Sequence, residues 1–243
     1  MKICIAQTRP AKGDITQNIS RHINFVERAA DLNASAIFFP ELSLTGYECK
    51  LAKDVATTAD DIRFKIFREL SNARSITIAA GVPTQTKMGI QISMLIFQPG
   101  QPVQTYSKQL LHSDEYPYFV RGDKQAMITI DNMQIAPAIC FESMQPQHAK
   151  EAIKLGAMMY VASVAKSLTG ITKANAYYSD LASNYSIPVL MVNCVGACDT
   201  FDSAGSSAVW SKDGILLSKL NNESEGILIF DTSTDQVITQ PLQ

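Results

Sequence analysis

Ile135-Ala136-Pro137-Ala138-Ile139-Cys140-Phe141-Glu142-Ser143-Met144-Gln145-Pro146 is a short apolar run that stops abruptly at a cysteine. Small apolar residues, bounded by Asn132 upstream and a polar proline-containing segment downstream, suit a buried strand, and Gln147 to Leu155 reads as the helix that follows. Cys140 then stands at a strand-to-helix corner. Helix N–H groups and the positive end of the helix dipole lower a thiol pKa in such a setting, so the stretch predicts a nucleophile. A lone cysteine after an apolar run is commonly an inert core residue, and the reading therefore depends on what other segments bring to it.

Two other runs share its form. Ala36-Ile37-Phe38-Phe39-Pro40-Glu41 is a short apolar strand ending in Pro-Glu, followed by Leu42-Ser43-Leu44-Thr45-Gly46-Tyr47, and Val103-Gln104-Thr105-Tyr106-Ser107-Lys108 is a strand-like run that ends on a lysine. Three strands thus deliver Glu41, Lys108 and Cys140 at their C-terminal ends, the edge where open α/β sheets hold their ligands.

Those motifs resemble the nitrilase, or carbon-nitrogen hydrolase, superfamily. The pattern is a Glu after Pro and before Thr-Gly-Tyr, a Lys shortly after an aromatic, and a Cys followed by aromatic-acid, and it extends from Ile5-Ala6-Gln7 to Gly205-Ser206-Ser207. Each motif alone is weak, but the three in this order and at these separations are specific. The resemblance implies an α/β fold, a four-layer α-β-β-α sandwich of two mixed β-sheets, and a homodimer or higher homo-oligomer.

Composition agrees with a small-molecule ligand. A chain of 243 residues with 46% hydrophobic content can bury a sizeable core, and we read it as one domain, 1–243, since no repeat, low-complexity stretch or linker interrupts it. A net charge of −2 without a basic run argues against nucleic acid or an anionic membrane as partner. Five cysteines at positions 4, 49, 140, 194 and 198 do not form a disulfide framework and suggest a reducing compartment. The apolar core of Met1 to Arg9 is too short for a signal peptide, and no stretch approaches the ~18 apolar residues of a membrane span. The expected location is cytoplasmic.

Along the chain, Asp14 is a plausible cap for a helix with Ile15, Ile19, Ile23, Val26 and Ala30 on one stripe, and the β-α-β opening predicts a parallel strand pair. His22 reads as a boundary residue of that helix. Thr57 to Asp61 caps a second helix, expected to bury Ile62, Ile66, Phe67 and Leu70. Strands follow at Ile76–Pro83, Gln91–Gln98, Val103–Lys108, Ala126–Ile130 and Met133–Ile139, spaced closely enough that some must be antiparallel. Met158–Ser163 and Ile187–Asn193 read as strands either side of a helix from about Lys173 to Tyr185. Short strands at Ser207–Trp210, Ile215–Leu217 and Gly226–Phe230 complete the chain.

The chemistry follows from residue types. A thiolate attacks a carbonyl or nitrile carbon if a base takes its proton, an acid releases the amine, and donors stabilise the oxyanion. Glu41 suits the base and acid, and Lys108 with the Phe141 N–H suits the oxyanion; the resemblance implies the same roles for the three motif residues. It also implies a second glutamate between the Lys and the Cys, best matched by Glu115, which would orient Lys108 or the substrate, with Asp114 equally eligible. Glu142 is expected to support the nucleophile's neighbourhood, and Tyr47, Tyr116, Tyr118 and Phe141 are candidate pocket walls. A Cys-His pair through His112 or His148 fits poorly, because His148 lies about two turns along the following helix. Cys194-Val195-Gly196-Ala197-Cys198 lacks the further ligands of a zinc site, and no Gly-rich phosphate loop occurs, so neither metal nor nucleotide cofactor is implied.

Departures from the family bear on substrate. Relatives acting on ω-carboxylate amides carry an Arg shortly after the nucleophile, where this chain has Ser143, Met144 and Gln145; a carboxylate anchor would come from elsewhere, with Lys166 and Arg121 as candidates. Leu181-Ala182 and Asn184-Tyr185 replace the Arg-Ala and Glu-Asn of many relatives. The expected function is a thiol amidohydrolase acting on a small linear amide or N-carbamoyl compound through a thioester. Nitrile hydrolysis by the same residues, or a non-catalytic small-molecule or redox sensor on the fold, are the alternatives.

Overall fold

In a computed structural model, which describes residues 1–242, β1 (Lys2–Gln7), α1 (Ile15–Asp31) and β2 (Ala36–Phe38) form the expected β-α-β opening with its parallel pair. A single turn, α2 (Ala52–Val55), and α3 (Lys65–Arg74) lead to β3 (Thr77–Thr86), and β4 (Gly89–Phe97) and β5 (Gln104–Ser107) follow antiparallel. β6 (Ile128–Ile130), β7 (Met133–Ile139), α4 (Pro146–Lys154), β8 (Met159–Val164), α5 (Leu168–Tyr185) and β9 (Val189–Asn193) build the second half, with β7, β8 and β9 parallel. The hairpin β10 (Val195–Cys198) and β11 (Phe201–Ala204) precedes β12 (Ala208–Trp210), β13 (Leu216–Lys219), β14 (Gly226–Asp231) and β15 (Gln236–Pro241).

Among the described residues the strands make a sheet in the order β15-β14-β1-β2-β3-β4-β5 and another in the order β13-β12-β9-β8-β7-β6, both mixed. Side chains alternate across each strand, and both faces are covered. Ile3, Ile5 and Phe38 meet Ile135, Ile139, Met159, Val161, Leu190 and Val192 between the sheets. The opposite faces, through Cys4, Ala6 and Ile37, take α1 and α3, and through Tyr160, Ala162, Val189 and Met191 take α4 and α5. The four-layer α-β-β-α order follows, and it explains why the central strands read as continuous apolar runs. Each fully buried Ile, Val or Phe of these layers contributes roughly 1.5–3 kcal/mol by leaving water.

Several expectations are corrected. Asp61 accepts from Arg63 N and starts a 3-10 turn, Ile62–Phe64, before α3. That tighter turn shifts the phase, so Phe64, Phe67 and Leu70 are buried, while Ile62 and Ile66, expected inside, are 75% and 37% exposed. His22 is not at a boundary but fully buried; its Nδ1 lies 2.7 Å from Asn18 O and its Nε2 2.9 Å from Ser43 Oγ, and burial lowers its pKa to about 3. Ser43 Oγ also accepts from Gly81 N at 3.2 Å, so the histidine ties α1 to the segment just after Glu41. α5 begins at Leu168, five residues ahead of its expected start, with Ser167 as its cap. The β10–β11 hairpin and β15 carry no strong apolar pattern, and β15 is a mostly exposed edge strand.

Candidate active site

Glu41 sits just past β2 in a segment laid against β3. A Cβ at Gly81 would fall 2.4 Å from Leu42 N and 2.6 Å from Pro40 O, so the glutamate's backbone rests directly on that glycine. Lys108 directly follows β5; its N–H donates to Ile92 O at 2.9 Å and its carbonyl accepts from Gly122 N at 2.7 Å. Gly122 is equally crowded, since a Cβ there would lie 2.3 Å from Ser107 O. Cys140 follows β7 with φ +48°, the left-handed region that non-glycine residues rarely occupy, and opens a 3-10 turn, Cys140–Met144. Its Sγ lies 3.6 Å from Ala165 O, just past β8. Two strand ends of one sheet and one of the other therefore meet across the interface between the sheets.

Lys108 Nζ bridges two carboxylates, donating to Glu41 Oε1 at 2.7 Å and to Glu115 Oε1 at 2.6 Å, all three side chains being essentially inaccessible. Glu115 also accepts from Tyr47 OH at 2.9 Å and, through Oε2, from His112 N at 2.7 Å. Asp114, the alternative carboxylate, does not reach Lys108; it is half-exposed on the wall of the cavity beside Cys140 and is hydrogen-bonded to His112 Nδ1 at 2.6 Å. Glu41 Oε2 is buried without a hydrogen-bond partner. Such an acceptor is costly unless something donates to it.

Charges respond accordingly. Burial pushes the Glu41 pKa up to about 7, against the pull of Lys108, with Glu115 adding to the rise. Burial alone would lower the Lys108 pKa, but Glu41, Cys140 and Glu115 together hold it above its ordinary value. The Cys140 thiol does not match its expectation: burial and then the charge of Glu41 push its pKa up to about 12, outweighing Lys166 and Lys108. Desolvation beside a carboxylate exceeds the partial charge of one short turn. A proton acceptor is thus required to make the thiolate.

Cys140 and Phe141 line a cavity of about 480 Å³ with Tyr47, Glu115, Lys166 and Phe201 among its walls. Tyr116 does not join it. Together with Tyr118 it lines a separate groove beside Lys50 and Lys53, and Tyr116 is 65% exposed; the turn around Glu115 sends its acid inward and these tyrosines outward. Glu142 lies beneath the site, where its carboxylate accepts from Ile139 N at 2.8 Å, Tyr106 OH at 2.5 Å, Gln109 N at 2.6 Å and Leu110 N at 3.2 Å. It ties the Cys140 corner to the segment after Lys108. His148 supports the same network, with Nε2 2.9 Å from Tyr106 OH and Nδ1 2.7 Å from Tyr160 OH, and burial lowers its pKa to about 4. Cys194 and Cys198 are buried free thiols with sulfurs 3.9 Å apart. Sequence reasoning missed Gly81, Gly122 and Phe201; only the glycines' isolated places within strand and loop signals hinted at a close backbone approach.

A family model described as carbon-nitrogen hydrolase matches residues 2–241. The chain belongs to the carbon-nitrogen hydrolase family. This carbon-nitrogen hydrolase is 22% identical to a glutamine-dependent NAD(+) synthetase of Thermotoga maritima over 97% of the chain, yet spans only 42% of that relative's length. It is 23% identical to a probable nitrilase of Schizosaccharomyces pombe, covering 96% of the chain and 89% of the relative. Among solved structures it is similar to the amidase from Nesterenkonia sp. AN1, seen with acrylamide added at the active-site cysteine, at TM-score 0.87 and 21% identity over 97% of this chain and 94% of that one. The same amidase in complex with butyramide aligns at TM-score 0.86 and 21% identity, over 97% and 92%. At those identities the structural likeness concerns the fold.

Proposed function

We propose that this carbon-nitrogen hydrolase cleaves a small linear amide or N-carbamoyl compound through a thioester on Cys140. Glu41 Oε2 takes the Sγ proton as sulfur bonds to the carbonyl carbon, and Lys108 with the Phe141 N–H stabilises the oxyanion. The protonated Glu41 then gives its proton to the nitrogen as the C–N bond breaks, releasing ammonia or an amine. A water attacks the thioester while Glu41 takes its proton, and the departing sulfur regains one, leaving the carboxylic acid and the free thiol. Glu115 and Tyr47 hold Lys108 in place throughout.

The observation that carries this reading is the ammonium of Lys108 locked between Glu41 and Glu115 while the second Glu41 oxygen stays buried and unpartnered. A base with a pKa of about 7 suits both deprotonating a thiol and protonating an amine near neutrality. The relatives support amide chemistry by their names: an amidase holding butyramide and glutamine-dependent synthetases, of which the chain spans less than half.

The test is ammonia release from butyramide, glutamine, N-carbamoyl amino acids and butyronitrile, with Cys140→Ala as control and intact mass as a check for the acyl adduct. Ammonia from an amide or carbamoyl compound, lost in the control, is the expected result. Release from the nitrile alone would transfer the reading to nitrile hydrolysis, and silence with no adduct would refute catalysis.

A further inference from the structure

Lys166 is held more firmly than a surface lysine needs to be. Its N–H donates to Asn193 Oδ1 at 2.9 Å, and its carbonyl accepts from Asn193 Nδ2 at 3.1 Å, Ser203 Oγ at 3.2 Å and Ala204 N at 2.9 Å. The residue before it, Ala165, presents the carbonyl that touches Cys140 Sγ. The lysine's backbone is therefore fixed by β9 and β11 next to the nucleophile. Its side chain is half-buried in the cavity wall, with Nζ 3.3 Å from Met144 Sδ, a soft and uncharged neighbour.

Among the described residues no carboxylate lies within ion-pair distance of Lys166, nor of Lys173, which lines the same cavity one helical turn into α5. Of the carboxylates on the opposite wall, Glu115 is held by Lys108, and Asp114 is half-exposed and hydrogen-bonded to His112. The cavity thus holds two cations with no carboxylate in contact, beside a reacting centre whose two carboxylates both face the Lys108 ammonium. A neutral amide leaves those cations unanswered, whereas an anion at the far end of the substrate pairs with them in a setting where charge-assisted hydrogen bonds are strong.

We propose that the cavity selects a small amide or carbamoyl compound bearing a carboxylate at its other end, with Lys166 Nζ as the anchor and Lys173 as a second cation at the mouth. This rests on the amidohydrolase reading above. The anchor comes from the strand-end segment after β8, rather than from the residues after the nucleophile, where Ser143, Met144 and Gln145 offer no cation.

Succinamate and butyramide make a matched pair, the same amide and chain length with a carboxylate or a methyl at the end. For the wild type, kcat/KM is expected to be about 10- to 100-fold higher for succinamate, the range of one or two charge-assisted hydrogen bonds. Lys166→Met should remove most of that ratio, chiefly through KM for succinamate, and Lys166→Arg should restore part of it. Lys173→Ala should reduce the ratio by less. Butyramide hydrolysed as well as succinamate by the wild type would overturn the anchor while leaving the hydrolase reading intact. Equal losses on both amides in Lys166→Met, through kcat, would also overturn it, since Lys166 would then act on the thiol and not on substrate. Ammonia from neither amide, with no acyl adduct, would refute the hydrolase reading itself.

Discussion

Glu142→Gln keeps the shape of a buried side chain while removing its charge and one acceptor, and the network beneath Cys140 lets its effect be worked out. Oε1 accepts from Ile139 N and Tyr106 OH, and Oε2 from Gln109 N and Leu110 N. An amide nitrogen at the Oε2 position would face two N–H donors. At the Oε1 position it faces only one, because Tyr106 OH also reaches His148 Nε2 at 2.9 Å and can turn to it. The second arrangement is cheaper. It leaves Ile139 N–H unpaired, at about 1–3 kcal/mol, and weakens the two remaining bonds by removing the charge. A total of about 2–4 kcal/mol is expected from a stability that is typically 5–15 kcal/mol. Urea unfolding should show a lower midpoint with an unchanged slope. Turnover should fall through kcat, because Ile139 precedes Cys140, the proposed nucleophile, and Gln109 follows Lys108. A variant within about 0.5 kcal/mol of wild type, with unaltered kcat, would refute the claim that this carboxylate ties the two segments together.

Glu41, as base, must be ionised, so kcat/KM should rise with pH through about 7 and stay near zero in Glu41→Gln; a rate without an acid limb between roughly pH 5.5 and 8.5 contradicts the role. Lys108→Met leaves Glu41 and Glu115 buried without a cation, a loss of about 3–5 kcal/mol near pH 8. Glu41, already raised by burial and now without its cation, would have a folded-state pKa still further above its unfolded one, so the deficit should shrink as pH falls towards about 4.3 and grow again as pH rises, as urea midpoints at pH 5 and 8 would show. Gly81→Ala must displace the backbone around Glu41, and Gly122→Ala that around Lys108, since each new Cβ would meet backbone atoms at under 3 Å. A shift of even 1 Å at a reacting group costs on the order of 100-fold in rate, so both variants should lose most turnover, and either retaining full kcat contradicts the packing argument.

Order along the chain already determined much of this protein. Strand, corner and helix around Cys140, the β-α-β opening, and Glu41, Lys108 and Cys140 at strand ends are local consequences of apolar runs that stop at polar residues. Their convergence, the choice of Glu115 over Asp114 and the outward turn of Tyr116 were decided only when the sheets packed face to face. The reason is physical: hydrophobic periodicity reports which face of an element is buried, and carries no record of what lies across the interface. The thiol shows the same limit, because a strand-to-helix corner argues for a lowered pKa, whereas desolvation and the Glu41 charge, both products of tertiary packing, raise it. Lys166 stood in the sequence as one of two candidate anchors, with Arg121; the hydrogen bonds from β9 and β11 to its backbone, and the lack among the described residues of a carboxylate beside its ammonium, belong to the fold alone.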